Sequence, residues 1–217
     1  CDVFLAIPYA APPVGERRFR KPEPPAPWEG VRACRRFGPR SIQATYPWDV
    51  IGTPVPSSED CLLLNVFAPS KQEGKTYPVF VFIHGGAYFI DSAVKYEPRK
   101  VCRQLVTKGI VLVTIQYRLG YLGYFCLGND ACKLEALRWV QKNIGEFGGD
   151  ASRVTVGGQS AGGTSADLLS LSPLAYDLFQ QKLLLGGNSF CYWAVLRRSQ
   201  IVDFCRRKAA TLGWKPR

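Results

Sequence analysis

The chain has 217 residues, of which 47% are hydrophobic and 21% charged, and this composition suits about one globular domain and excludes a disordered chain. No uninterrupted apolar run approaches the roughly 18 residues that a membrane helix needs, so we expect no membrane span. The formal net charge of +11 would permit binding to nucleic acid, but the basic clusters are scattered without a nucleic-acid-binding motif, which favours a solvated basic surface.

Proline and turn residues dominate residues 1 to about 60. Pro22, Pro24, Pro25 and Pro27 stand close together. Each proline fixes φ and removes a backbone donor, so this segment predicts short strands and extended coil instead of long helices. We expect the segment to wrap a surface or line an entrance.

From Tyr77 onward, apolar runs alternate with helical patterns. We predict strands at 79–83, 110–115 and 154–156, and helices at 99–107, 133–144 and 160–170. A fourth buried strand is predicted at 182–185, followed by a short basic helix at 199–212. Continuous apolar strands separated by helices indicate a mostly parallel sheet that is covered on both faces.

A nucleophile elbow is predicted where Gly158-Gln159-Ser160-Ala161-Gly162 follows the strand at 154–156 and opens the next helix. In this G-x-S-x-G arrangement the serine takes a strained turn that lifts its Oγ above the sheet, and the glycines let strand and helix approach closely. The alternative is a glycine-rich turn that only packs tightly or holds a phosphate. That alternative is disfavoured, because neither G-x-G-x-x-G nor G-x-x-x-x-G-K-[ST] occurs.

A second signal, His84-Gly85-Gly86-Ala87, comes directly after the predicted strand at 79–83. An acyl-transfer intermediate carries an oxyanion that needs fixed N–H donors, and a glycine-rich loop at the carboxyl end of a strand can supply two of them. Gly86 and Ala87 would provide these two, and the N–H of Ala161 would be the third. The alternative for the loop alone is an ordinary strand-ending turn.

These two motifs, with further blocks in the same order, resemble the type-B carboxylesterases, a cholinesterase-like part of the α/β-hydrolase family. The further blocks cover nearly the whole chain: Phe4-Leu5-Ala6-Ile7-Pro8-Tyr9-Ala10, Pro12-Pro13-Val14-Gly15-Glu16, Ser58-Glu59-Asp60-Cys61-Leu62-Leu63-Leu64-Asn65-Val66, Tyr117-Arg118-Leu119-Gly120 and 136–150. Gln159, and Gly186-Gly187-Asn188 with Cys191, are most similar to the gut-esterase branch. The resemblance implies a partial α/β-hydrolase fold with helices on both faces of the sheet.

The resemblance also implies roles for the motif residues. Ser160 would be the nucleophile of a carboxylic ester hydrolase acting on a small-molecule ester, and the N–H groups of Gly86, Ala87 and Ala161 would hold the oxyanion. This chemistry needs neither a metal nor a cofactor. The remaining motif residues would support the loop and the elbow: His84, Gly85, Gly158, Gln159 and Gly162.

The triad acid and histidine of the family lie beyond Arg217, and the one histidine of this chain, His84, belongs to the oxyanion loop. Residues 1–217 thus correspond to the N-terminal portion of a carboxylesterase type-B domain, incomplete at both ends. Without an imidazole base Ser160 is not activated, so we predict that the chain alone is inactive. The alternative is a non-catalytic binding or adhesion domain, or a degenerate fragment. The intact Ser160 argues against the binding domain, in which the nucleophile is often lost.

Other features also depart from a complete member of the family. Ala87 replaces the third glycine of the oxyanion loop. A segment usual in the family, with a Gly-Asn-x-Gly-Leu-x-Asp-Gln block, is missing between Cys132 and Lys133. The sequence contains no methionine and opens without a signal peptide, so we expect it to begin inside a longer protein.

Eight cysteines are many for a cytosolic chain of this size, and no C-x-x-C pair or histidine cluster offers zinc ligands. With the resemblance, the cysteine count predicts a secreted protein or one of the endoplasmic reticulum lumen. The family often pairs the cysteine equivalent to Cys61 with a cysteine at the position of Ser41. Here Cys34 is the substitute partner, in a Cys34–Cys61 disulfide, and the alternative leaves both thiols reduced.

Overall fold

The computed structural model describes residues 1–44, 55–124, 132–211 and 213, and it is built around one six-stranded sheet. The strands are β1 (Asp2–Pro8), β2 (Arg40–Ser41), β3 (Ser57–Ser58), β4 (Leu63–Ala68), β5 (Tyr77–Ile83), β6 (Val111–Ile115), β7 (Gly149–Gln159) and β8 (Gln181–Leu185). The helices are α1 (Pro98–Gln104), α2 (Gly120–Tyr124), α3 (Cys132–Asn143), α4 (Ala161–Ser170) and α5 (Arg198–Thr211). Among these described residues, no helix is long and apolar enough to cross a membrane.

The sheet has the strand order β1-β4-β6-β5-β7-β8. Strands β6, β5, β7 and β8 run parallel, whereas β4 is antiparallel to both of its neighbours, β1 and β6. The short strands β2 and β3 pair with each other outside this sheet. The prediction of a mostly parallel central sheet is confirmed, and β1 is one of the short strands expected in the proline-rich segment.

Side chains of β5 alternate between the two faces of the sheet, as the strand period of two requires. Val79 and Val81 lie in one buried cluster, which also contains the apolar side of α3. Phe80 and Phe82 pack against a second cluster on the other face, which includes Val101 of α1. Burial of each such side chain contributes roughly 1.5–3 kcal/mol, so helices on both faces hold the sheet in place.

Two predicted elements differ most from the structure in extent. Strand β7 begins at Gly149, well before the predicted start at 154, because Gly149 continues the pairing with Tyr77 of β5. The helix predicted at 99–107 is divided, since α1 ends at Gln104 and a 3₁₀ turn over Val106–Lys108 follows. That turn stops at Gly109, whose φ of 79° is incompatible with a continuing helix.

Strand β8 is correctly predicted as a strand, but the prediction that it is buried is wrong. Among the described residues it is the last strand of the sheet and pairs with β7 alone. Four of its five residues are exposed, Leu183 and Leu185 among them. An apolar run predicts a buried strand only where structure covers it on all sides, and in the described part of the chain β8 has a strand neighbour on one side alone.

The disulfide seen in the described residues joins Cys1, at the start of the chain, to Cys102 of α1. The expected Cys34–Cys61 disulfide is not formed, because Cys34 is a free thiol, and this prediction is wrong. Cys61 is fixed by packing in the main core, where it is 1% exposed. The main chain at Cys34 is instead held against β1, where its carbonyl accepts the Leu5 N–H at 2.8 Å. Each residue is anchored by its own contacts and not by the other thiol.

Candidate active site

The candidate site lies at the carboxyl edge of the parallel strands. Ile83, at the end of β5, is paired in register with Ile115 of β6 and with Gly158 of β7. The segments that follow, including those that begin at His84 and Ser160, therefore leave the sheet at one edge. In open α/β sheets, ligands bind in the crevice outside this edge.

Ser160 occupies the turn between β7 and α4 with φ 54° and ψ −122°. A positive φ is strained for a residue with a Cβ, and such strain is typical of nucleophile elbows. The turn is fixed from two sides, because the Ser160 N–H donates to the Leu185 carbonyl (2.8 Å) and the Thr164 N–H donates to the Ser160 carbonyl (2.9 Å). Ser160 remains partly exposed, whereas Ala161, the first residue of α4, is buried.

Gly158 and Gly162 allow β5, β7 and α4 to approach one another closely. A Cβ at Gly158 would lie 2.5 Å from the Ile83 carbonyl oxygen, and one at Gly162 would lie 2.0 Å from the same atom. Both distances are far below van der Waals contact, so another residue fits only if the backbone moves. The G-x-S-x-G spacing found in the sequence therefore reflects the contact of two strands with one helix.

The loop 84–91 is a tight turn. Gly86 has φ 92°, and a Cβ there would lie 2.1 Å from the Ile90 carbonyl oxygen. The Gly86 carbonyl accepts hydrogen bonds from the N–H groups of Phe89 (2.9 Å) and Ile90 (3.0 Å). Ala87 and Tyr88 also have positive φ, of 51° and 64°. The loop therefore holds strain at residues other than glycine, and Ala87 takes a left-handed conformation that glycine would adopt without strain.

The loop 84–91 and the elbow are in direct contact. A Cβ built on Gly85 would lie 3.3 Å from the Ser160 Cβ and 2.7 Å from the Gln159 carbonyl oxygen. The two loop residues that are predicted as oxyanion donors follow immediately after Gly85. The third predicted donor, Ala161, stands at the N-terminus of α4, where main-chain N–H groups have no helical partner. The structure thus brings together the segments that the two motifs define.

Tyr117, which the sequence motifs do not predict as a site residue, organises the loop 84–91. Its hydroxyl donates to the carbonyls of His84 (2.8 Å) and Gly85 (3.2 Å). Its ring stacks on the His84 imidazole, with centroids 4.4 Å apart. A trans peptide points its N–H away from its C=O, so holding the Gly85 carbonyl also fixes the direction of the Gly86 N–H. The sequence does contain one indication of this role: Tyr117 comes just after the buried strand β6, which ends at the same edge of the sheet as β5 and β7.

His84 is fully buried, and its contacts are with the loop and not with Ser160. Its Nδ1 lies 3.0 Å from the Gly85 carbonyl oxygen, and its Nε2 has no hydrogen-bond partner among the described residues. Burial lowers the pKa of His84 to about 4, an effect that the Asp91 carboxylate opposes and the Lys133 ammonium reinforces. The imidazole is therefore neutral at pH 7 and contributes to the shape of the loop.

Lys133, near the start of α3, is a second residue that the motifs do not predict. It is 2% exposed, and its Nζ lies 4.1 Å from the centroid of the Tyr117 ring and 3.0 Å from the Tyr124 hydroxyl. Its Nζ also lies 5.8 Å from the Tyr88 ring, within the range of a cation–π interaction. Lys133 and His84 thus share Tyr117 as a common contact. In the sequence, the one indication that Lys133 is buried is its place next to Leu134, an apolar position of the amphipathic helix α3.

The sequence matches the Carboxylesterase family over residues 1–217. The chain belongs to the carboxylesterase family. Esterase cest-33 of Caenorhabditis elegans is 42% identical, with 100% of this chain and 41% of that relative covered. Gut esterase 1 of Caenorhabditis briggsae is 38% identical, with 98% and 38% covered. A solved structure of a PNB esterase has a TM-score of 0.87 and 34% sequence identity, and the match covers 98% of this chain and 45% of that one.

The predicted family and the predicted partial α/β-hydrolase fold are both confirmed. The chain spans about two fifths of the length of the curated relatives that it matches. The elbow and the loop 84–91 lie within this matched part. The one histidine in the sequence is His84, so a histidine free to act on Ser160 is not found in these residues.

Proposed function

We propose that this chain supplies the nucleophile and the oxyanion site of a carboxylic ester hydrolase. The observation that carries the proposal is the strained turn at Ser160, which is held by the Leu185 carbonyl and α4 and contacts the loop 84–91. A turn that only packed would gain nothing from a positive φ at a residue with a side chain. Membership of the carboxylesterase family supports the same chemistry.

In the proposed reaction, the Ser160 Oγ attacks the carbonyl carbon of the ester and its proton passes to a base. The carbonyl oxygen becomes an oxyanion that accepts hydrogen bonds from the N–H groups of Gly86, Ala87 and Ala161, each contributing about 3 kcal/mol. Collapse expels the alcohol, which takes up the proton, and leaves the acyl group on Oγ. Water then attacks this acyl-enzyme, releases the carboxylic acid and restores the Ser160 hydroxyl.

Tyr117 and His84 act in this proposal as positioning residues. The Tyr117 hydroxyl and the His84 Nδ1–H both donate to the Gly85 carbonyl, so the Gly86 N–H is oriented before a substrate arrives. A donor that is already oriented costs no reorganisation when negative charge develops in the transition state. Burial lowers the pKa of His84 to about 4, so at pH 7 the imidazole is neutral and its Nδ1 carries the proton that the Gly85 carbonyl accepts.

The base of the reaction has no counterpart among the residues of this chain, so we propose that the chain alone does not hydrolyse esters. A second candidate is a non-catalytic binding domain. The retained strain at Ser160 argues against that second candidate. The isolated chain and its Ser160→Ala variant are expected to hydrolyse nitrophenyl acetate at the same rate. A Ser160-dependent burst would overturn the proposed inactivity.

The nucleophile is tested by fusing residues 1–217 to the part of Esterase cest-33 that follows its matched segment. The chimera is expected to hydrolyse nitrophenyl acetate, and Ser160→Ala should lower its kcat by at least about 10⁴-fold. Ser152→Ala, at an exposed position of β7, is the matched control and should leave kcat unchanged. A folded, active chimera that is indifferent to Ser160→Ala would overturn the assignment.

We also propose that the protein acts in the secretory pathway, either secreted or in the endoplasmic reticulum lumen. The Cys1–Cys102 disulfide supports this proposal, because disulfides persist mainly in oxidising compartments. Peptide mapping without reduction, on protein purified from its natural source, should recover the cross-linked pair of peptides. Recovery of both thiols alkylated would count against the compartment.

A further inference from the structure

We propose that Lys133 is a positioning residue, whose buried ammonium group holds the loop 84–91 in its oxyanion-binding shape through the rings of Tyr117 and Tyr88. This inference rests on the proposed function, because it assigns Lys133 a part in forming the oxyanion site. It adds a charged side chain from α3, a helix that contributes nothing to either sequence motif.

Lys133 lies among three tyrosine rings, which we call the tyrosine cage: Tyr88, Tyr117 and Tyr124. Its Nζ lies 4.1 Å from the Tyr117 ring centroid, 5.5 Å from that of Tyr124 and 5.8 Å from that of Tyr88, all within the range of a cation–π interaction. Lys133 is 2% exposed, so water screens these interactions only weakly. The cage therefore joins the loop 84–91, the segment after β6 and helix α2 around one positive charge.

Tyr117 carries the effect of this charge to the main chain of the loop. Its hydroxyl donates to the carbonyls of His84 (2.8 Å) and Gly85 (3.2 Å). A cation over the face of a phenol draws electron density from the ring and its oxygen, so the O–H becomes a stronger donor. A firmer hold on the Gly85 carbonyl also fixes the Gly86 N–H, which belongs to the same peptide unit.

Tyr88 gives Lys133 a second contact, at the strained part of the loop. Tyr88 has a φ of 64° and follows Ala87, a predicted oxyanion donor with a φ of 51°. The Tyr88 carbonyl accepts the Gly120 N–H at 2.8 Å, and its ring lies 5.0 Å from that of Tyr124. Contacts with Lys133 and α2 therefore hold a conformation that is costly for residues with a Cβ.

The alternative role for Lys133 is to fill the space between α3 and the loop. Burial of an ammonium group costs free energy, whereas a methionine of similar length fills such a space without that cost. A lysine is therefore a poor choice for packing alone. The variant Lys133→Met separates the two roles, because it keeps an unbranched side chain of similar length and removes the charge.

The kinetic test uses the chimera of residues 1–217 with the part of Esterase cest-33 that follows its matched segment. Lys133→Met should lower kcat for nitrophenyl acetate about tenfold with KM unchanged, because the oxyanion develops only in the transition state. Lys133→Arg keeps the charge and should restore most of this loss. Lys142→Met, at an exposed position of α3, is the matched control and should leave kcat unchanged. A single urea transition for each variant shows that it is folded.

A double-mutant cycle tests whether Lys133 acts through Tyr117. Tyr117→Phe keeps the ring and removes the hydroxyl that holds the loop, so it should also lower kcat about tenfold. Because the two residues act in one chain of contacts, Lys133→Met with Tyr117→Phe should lose less than about thirtyfold. Independent effects would instead multiply to about a hundredfold loss.

A spectroscopic test on the 217-residue chain needs no activity. Burial lowers the pKa of His84 to about 4, and of the charged groups that act on it Asp91 raises this pKa, whereas Lys95 and Lys133 lower it. His84 is the one histidine in the sequence, so its imidazole gives a single set of NMR signals. Lys133→Met should move its titration midpoint upward, and Lys133→Arg should leave the midpoint in place.

Three outcomes would overturn the proposal. The first is a folded Lys133→Met chimera with unchanged kcat or with a change in KM alone. The second is an equal loss of kcat in Lys133→Met and Lys133→Arg, which would assign the effect to side-chain shape. The third is an unmoved His84 midpoint in Lys133→Met. The nucleophile is decided separately, because an active chimera that is indifferent to Ser160→Ala would overturn the proposed function whatever Lys133 does.

Discussion

The sheet ends in two different ways at its outer strands, β1 and β8. On the β1 side, the Leu5 N–H donates to the Cys34 carbonyl (2.8 Å), and Leu5 and Ile7 are buried. The Cys1–Cys102 disulfide ties this end of the sheet to α1. The chain therefore covers this outer strand with its own residues.

On the β8 side, the strand pairs with β7 alone in the part of the chain that the structure describes, and four of its five residues are exposed. Its inner main-chain groups support the candidate site, since the Leu185 carbonyl accepts the Ser160 N–H. The comparison shows that the exposed end of the sheet is also the end nearest the chemistry. Structure that completes the sheet at β8 would therefore be placed to complete the active site as well.

The largest effect that we expect from altering either end comes from removing the Cys1–Cys102 disulfide. The two cysteines are 101 residues apart, and a closed loop of this length stabilises the fold by about 4–5 kcal/mol in the loop-entropy model. Cys102→Ser should lower the free energy of unfolding by about that amount, as measured by urea denaturation without reductant. This loss would show how much the covered β1 end depends on one covalent bond.

Cys191→Ser is the control for this change, because Cys191 is a free and partly exposed cysteine. It should shift the free energy of unfolding by less than about 0.5 kcal/mol. Equal stability of Cys102→Ser and the unaltered chain would show that the β1 end is held by packing and hydrogen bonds alone.

A smaller effect is expected at the β8 end from Asp167→Asn. Hydrogen bonds from Lys182 and from the Ser189 N–H lower the pKa of Asp167 to about 2. Because the carboxylate is favoured in the folded state, its contribution is fully present above about pH 4 and is lost as the pH falls towards 2. Asp167→Asn should lower stability by about 2 kcal/mol at pH 7 and flatten its pH dependence between pH 4 and 2.

The measurement is a series of urea denaturation curves across that pH range, with Asp177→Asn as the control. Asp177 is exposed and should not affect the curves. If Asp167→Asn keeps the full pH dependence, the ion pair with Lys182 does not stabilise β8.

The smallest effect is expected at Ser160, whose strained turn is hydrogen-bonded to Leu185 of β8. Ser160 has a φ of 54°, a conformation that is strained for any residue with a Cβ but not for glycine. Ser160→Gly should therefore be more stable than Ser160→Ala by about 1 kcal/mol. Both variants lack the hydroxyl, so their difference in urea midpoint reports the strain at a residue with a Cβ, reduced by the greater unfolded-state entropy of glycine. A more stable Ser160→Ala would mean that the turn is not strained in solution.

The parallel half of the sheet could be predicted because β6, Val111–Ile115, is a continuous apolar run between turn signals. Strand β4 contains Asn65 at its centre, which weakens that pattern. Asn65 is buried because it accepts from the Ala6 N–H (3.0 Å) and donates to Thr114 Oγ1 (3.0 Å). These hydrogen-bond partners are distant in sequence and reach Asn65 only in the tertiary structure, so no local sequence pattern reveals that its amide can be buried.

The candidate site also contains residues that a local motif predicts and residues that only tertiary contacts bring into place. The position of Ser160 could be predicted, since a local motif forms the elbow. The contacts of Tyr117 and Lys133 could not, because each depends on residues brought together from separate elements. The Cys1–Cys102 pairing is a further case, since sequence spacing says nothing about which of eight cysteines meet.

The close packing at Gly158 and Gly162 also affects how natural variation in this protein should be interpreted. Side chains at these positions would collide with the Ile83 carbonyl oxygen, so purifying selection on folding alone would preserve both glycines in an inactive descendant. Ser160 is different, because its side chain has no such packing role and glycine would fit its backbone better. Among orthologues, retention of the serine is therefore the informative record of selection for catalysis, and retention of the glycines is not.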